Sequence, residues 1–118
     1  MDPLKLLKKI ETAHGVKLTG RLREFYESGE VMKYQNKYNK EFECNVDFFS
    51  KYALEADEEY EENLIPIAGK IDENGIEEEQ AWIGVNLDKK DTPVYALYTS
   101  CEYEDAFKNF DEFLQDFE

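Results

Sequence analysis

Carboxylates dominate the reactive side chains of this 118-residue chain: 28 Asp and Glu stand beside one histidine and two cysteines. Six of them occupy eight positions (Glu55, Asp57, Glu58, Glu59, Glu61, Glu62) directly before the apolar stretch "LIPIAG". Five more, Asp72, Glu73, Glu77, Glu78 and Glu79, fall within "DENGIEEE". Paired carboxylates do general acid–base work when their environments hold them at different pKa values. Nothing in the spacing marks out one such pair here. "DENG" at 72–75 looks like part of a calcium loop, but the Asp-x-[Asp/Asn]-x-[Asp/Asn]-Gly spacing fails and the terminal Glu is missing. It reads as a turn. His14 falls at the end of a helical pattern, where a histidine commonly serves the helix C-terminus from the surface. Cys44 and Cys101 fit no CxxC or zinc spacing and read as small apolar side chains rather than nucleophiles. There is no glycine-rich phosphate loop and no Gly-x-Ser-x-Gly. The expectation is a non-enzymatic chain without metal or cofactor.

The charge is unevenly spread. Residues 1–40 hold nine Lys/Arg against five Asp/Glu, whereas residues 41–118 hold five against 23, and the whole chain carries a net −14. Such a charge weakens the fold by self-repulsion but draws in cationic partners. Nucleic acid is not an expected ligand, since phosphate binding needs a basic patch, and an anionic membrane surface is disfavoured for the same reason. "MDPLKLLKKIE" has no apolar run before its lysines of the kind a signal peptide shows. No apolar stretch approaches the roughly 20 residues that span a bilayer. Two free thiols and a cytoplasmic location follow as expectations, although a Cys44–Cys101 disulfide stays open on sequence alone.

The elements that must position these acids fit one domain, with 42% hydrophobic residues, eight Phe, eight Tyr and one Trp to fill a core. Residues 2–14 predict a helix: Asp2 caps it, Pro3 suits its first turn, Leu4, Leu7, Ile10 and Ala13 form its stripe, and Gly15 stops it. A second helix runs from a Thr19 cap to about Ser28, with Leu22, Phe25 and Tyr26 inward. "VMKY" and "EFECNV" predict a hairpin across the turn "NKYNK". "FFSKYALEADEEYEE" predicts a helix with Phe48, Phe49, Tyr52 and Ala56 inward and the acids outward. "LIPIAGKI", with Pro66 marking an edge or a strand start, "QAWIGVNL", with Ala81, Ile83, Val85 and Leu87 on one face, and "VYALYT" predict strands. In "NFDEFLQDF", Asn109 and Glu112 form a capping box for a helix with Phe110, Phe113, Leu114 and Phe117 in its stripe. The fold class expected is α+β: a mainly antiparallel sheet with the N-terminal and C-terminal helices packed on it.

Taken in order, Gly15 and Leu18 with "LREFYESG", then "LIPIAG", "WIGVNLD", "TPVYAL" and "NFDEFLQDF" resemble the SUKH superfamily, which includes bacterial immunity proteins and yeast cell-wall-assembly regulators. Thr19 stands where the family usually has Pro, Ser28-Gly29 where it has Asn-Gly, and residues 31–54 match weakly. For the bacterial members the resemblance implies binding and neutralising a cognate polymorphic toxin, often a nuclease.

A charge run is commonly a solvated face. With the resemblance beside it, the acidic segment reads as a partner-binding face, because nuclease toxins are basic and an acidic face speeds their encounter. Affinity would come from aromatic anchors among the charges. Tyr60, Trp82 and Tyr103 are the candidates, each equally able to be core. The alternatives are a regulatory adaptor without a toxin partner and a small-ligand-binding domain with a pocket between sheet and helices.

Overall fold

The computed structural model describes residues 2–118. Helix α1 (Pro3–His14) starts as its first residues dictate: the Asp2 side chain accepts from the Leu4 N–H, and Gly15 closes the end in a left-handed conformation at φ 62°. Its buried stripe is Leu6, Leu7 and Ile10, while Leu4 is 49% exposed and Ala13 is also exposed. The inward face is therefore turned from the expected one. Helix α2 (Gly20–Glu27) buries Leu22, Phe25 and Tyr26 as expected, but the Thr19 side chain makes no capping bond.

Residues 31–54 differ most from expectation. "VMKY" is a helical turn, α3 (Val31–Tyr34), not a strand. The expected turn "NKYNK" supplies strand β1 (Lys37–Asn39), which pairs antiparallel with β2 (Cys44–Asp47). The hairpin exists, shifted along the chain, because Asn36 takes the left-handed region at φ 61° and turns the chain before β1. The helix expected over 48–62 shrinks to α4 (Lys51–Leu54), started by Ser50, whose hydroxyl accepts from the Ala53 N–H. Phe48 is buried and Phe49 half-buried, but Tyr52 is exposed. Electrostatics explains the early stop. Continuing the helix would set like charges at i,i+4, as in Glu55–Glu59 and Glu58–Glu62. It would also stack anions on the negative end of the helix dipole.

The sheet continues with β3 (Leu64–Ile71), β4 (Glu77–Asn86), β5 (Val94–Tyr98) and β6 (Tyr103–Phe107). Strand β6 is absent from the expected set. All neighbours are consecutive and antiparallel, in the order β1-β2-β3-β4-β5-β6, and the sheet is curled. Pro66 lies where β3 has a partner on one side only, since β2 reaches only Gly69–Ile71. The outer edge of β1 is covered by the C-terminus: Asn39 bridges Phe117, and the Glu118 N–H donates to the Tyr38 carbonyl. The free edge of β6 carries Glu104 and Asp105, charges that discourage a further strand.

Helix α5 (Phe110–Gln115) follows β6, with the Asn109 side chain accepting from the Glu112 N–H at 2.8 Å. The main core joins α1, α2 and α5 to one sheet face through Val46, Ile65, Ile67, Ile83, Val85 and Val94. Phe25, fully buried, meets the rings of Tyr26, Tyr34, Phe48 and Phe110 at 5.0–6.1 Å. Arg21 binds Glu30 through two 2.9 Å hydrogen bonds and Asp111 at 3.0 Å, tying α2 to α5. The expected α+β class, with terminal helices packed on an antiparallel sheet, holds.

The other face is covered too. Leu64, Trp82, Tyr95 and Leu97 form a second cluster with Ala53, and Ala56, Tyr60 and Tyr103 lie against it. Gly84 shows how tight this layer is: an added Cβ would meet the Leu97 side chain and sit 2.6 Å from the Ile65 carbonyl.

Candidate functional site

Residues 55–63, which hold the first acidic run, cross the second sheet face without helix or strand. Tyr60 fastens this strap. Its hydroxyl donates to the Tyr98 carbonyl at 3.0 Å, and its ring meets Tyr103 edge-on at 6.4 Å. Burial, helped by Glu58, pushes its pKa up to about 12. Glu62 fastens the far end, its Oε1 accepting from Asn86 Nδ2 at 3.1 Å and lying 3.6 Å from Lys89 Nζ. The same carboxylate pushes Tyr103 up. Glu58 is half-buried and one of its oxygens is shut from solvent without a partner. Glu55, Asp57, Glu59 and Glu61 are exposed and form no ion pair among the described residues. The expected acidic face thus divides into one fastener (Glu62), one half-buried carboxylate without a partner (Glu58) and four exposed ones.

The aromatic candidates divide as well. Trp82 is 3% exposed and lies in the second core cluster, so it is not a surface anchor. Tyr60 and Tyr103 are half-buried and show their edges beside the strap.

The second acidic run does not stay on one face. Glu77 and Glu79 lie on the strap side: a Glu77 oxygen approaches Gly69 beside Ser50, and Glu79 interacts with the Tyr52 hydroxyl, raising its pKa. Asp72, Glu73 and Glu78 line a groove of about 800 Å³. Its floor includes Cys44 of β2, Lys70 of β3, Ala81 of β4 and Tyr98 of β5, one residue from each of four neighbouring strands. Their sequence neighbours Gly69, Trp82 and Leu97 belong to the strap face, so the alternation of side chains puts the groove on the opposite, helix-bearing face. There it occupies the part of the curled sheet that the helices leave uncovered.

No local signal in the sequence points to this groove, because four strands build it. Phe42 stands over it from the β1–β2 turn, with Lys70 Nζ 5.6 Å from its ring centre. Burial raises the Cys44 thiol, with Lys70 pulling the other way.

"DENG" is a turn as read: Asp72 Oδ1 accepts from the N–H groups of Asn74 and Ile76, both at 2.9 Å, and Gly75 takes φ 78°. His14 is half-buried rather than out at the surface, and burial lowers its pKa, which keeps it neutral and weakens the expected role at the helix end. Both cysteines are free, Cys44 buried and Cys101 exposed. Among the described residues no group of three or more His, Cys, Asp or Glu is arranged to hold a metal ion, and no helix is long and apolar enough to cross a membrane. No family model, no curated protein and no solved structure matches the chain.

Proposed function

We propose that this chain is a non-enzymatic protein-binding domain, an immunity protein of the kind its SUKH resemblance implies, that neutralises a basic toxin through the acidic strap. One observation carries the reading. Glu55, Asp57, Glu59 and Glu61 are held exposed, without an ion pair among the described residues, on a segment that Tyr60 and Glu62 fasten to the sheet. A fastened segment has already lost much of its conformational freedom, so less remains to be lost on binding. Unpaired like charges raise the encounter rate with a cationic surface.

The test begins with capture from a native lysate at low and at physiological salt, the chain serving as bait. The expected capture is one protein with a basic domain, released as salt rises. Its association rate is then measured against a Glu55→Gln, Asp57→Asn, Glu59→Gln, Glu61→Gln variant. The rate should fall about tenfold and lose most of its salt dependence, because exposed charges farther apart than about 8 Å are largely screened at 0.15 M ionic strength. An unchanged rate sinks the strap as the binding face.

A further inference from the structure

We propose that the groove at the uncovered end of the curled sheet is a docking site for an extended, lysine- or arginine-bearing segment of a protein partner, separate from the strap. The proposal rests on the protein-binding reading and adds a second contact on the opposite face.

Three features support it. The first is charge. Glu43, Asp72, Glu73 and Glu78 line the groove against the single cation Lys70, and none of the four belongs to an ion pair among the described residues. The second is the aromatic lining. Phe42 and Tyr98 line it beside those carboxylates, a pairing that suits an ammonium or guanidinium group with an aliphatic stem. Lys70 already shows this contact, its ammonium resting over Phe42 rather than on a carboxylate. The third is shape. The floor crosses β2 to β5, a path that suits an extended chain more than a compact ion, and about 800 Å³ lies within the range of pockets that bury a ligand. A partner's cation would take Glu43 and Glu73 and the second oxygens of Asp72 and Glu78, whose first oxygens accept from the N–H groups of Asn74 and Ile76 and of Gln80.

The probe is a short alternating Lys-Val peptide, with a Glu-Val peptide and spermine as comparators. Binding is followed at low salt by titration calorimetry and by amide shifts in heteronuclear NMR spectra. The Lys-Val peptide should bind at least about tenfold more tightly than the Glu-Val peptide, with the largest shifts at Lys70, Ala81 and Tyr98. Glu73→Gln with Glu78→Gln should weaken it about tenfold. Glu24→Gln with Glu112→Gln, an equal loss of exposed charge on the helices, should leave it within about twofold. Both pairs are exposed, so both variants keep the fold.

Four results overturn the groove: no binding of the Lys-Val peptide, shifts centred on residues 55–63, spermine binding as tightly as the peptide, or equal weakening by the two variants. Sedimentation that shows a dimer blocking the peptide would also overturn it, assigning the groove to a second copy of the chain. None of these touches the association-rate test of the strap, so the two readings fail separately.

Discussion

Replacing Tyr60 with Phe removes one hydroxyl from the strap and leaves its ring in place. The lost hydrogen bond, 3.0 Å to the Tyr98 carbonyl, is half-buried. Its net worth is about 0.5–1.5 kcal/mol. That carbonyl also accepts from the Cys101 N–H at 3.0 Å, so the variant strands no acceptor and the loss should stay near ~1 kcal/mol. At about 2.1 cal/mol/K per residue, 118 residues give an unfolding entropy of ~0.25 kcal/mol/K, and Tm should fall by about 4 °C near pH 8. The gap should then change with alkali. The Tyr60 hydroxyl titrates near 12 in the folded chain against an ordinary 10, so the unfolded chain releases its proton first as pH rises. The stability Tyr60 supplies is therefore complete below about pH 10 and is lost between about pH 10 and 12. The Tyr60→Phe variant has no proton to release at this position and loses nothing there, so the two proteins should converge. Urea unfolding at about pH 8 and pH 11 measures both effects. Equal stability near pH 8, or a gap that widens in alkali, refutes the assignment of Tyr60 as the fastener.

Two further substitutions test the scaffold. Gly84→Ala should destabilise the domain by about 1–3 kcal/mol, since its methyl group meets Leu97 and the Ile65 carbonyl and a backbone oxygen yields little; the urea midpoint reads it, and an unchanged midpoint would mean the layer is looser than described. Asn109→Ala should cost ~1 kcal/mol by removing the 2.8 Å cap of α5, and Asn109→Asp should restore most of it, both measured by thermal unfolding.

Local signals are the legible ones. Asp2, Gly15 and Asn109 act on the backbone within a few residues as the sequence suggests, whereas Glu112 contributes only its backbone N–H to the Asn109 cap and the reciprocal half of the capping box is not made. The alternation in β4 is equally plain, though not that its second face is also buried: Trp82 has the look of an anchor in the sequence, and only the passage of residues 55–63 across that face makes it core. The β1–β2 region is illegible because a distant partner decides it. Asn39, polar and fully buried, takes its place in a strand against Phe117 from the other end of the chain. Apolar spacing overstates the length of α4 because it leaves out the repulsion among Glu55, Asp57, Glu58 and Glu59. The groove is invisible in the sequence because its residues come from separate strands.

The strictly consecutive strand order bears on how quickly this chain folds. Apart from β2 and β3, which residues 48–63 join through α4 and the strap, neighbouring strands are linked by short loops, so those closures lose little chain entropy and reward it at once with hydrogen bonds. Such local pairing favours fast folding for a sheet protein. A far longer closure is the contact between Asn39 and Phe117, which joins the first and last sheet-forming segments. Its closure must wait until β2 to β6 and α5 have brought those segments together. In stopped-flow refolding, removing residues 116–118 should therefore speed unfolding while leaving the folding rate nearly unchanged, the signature of a contact made after the rate-limiting step.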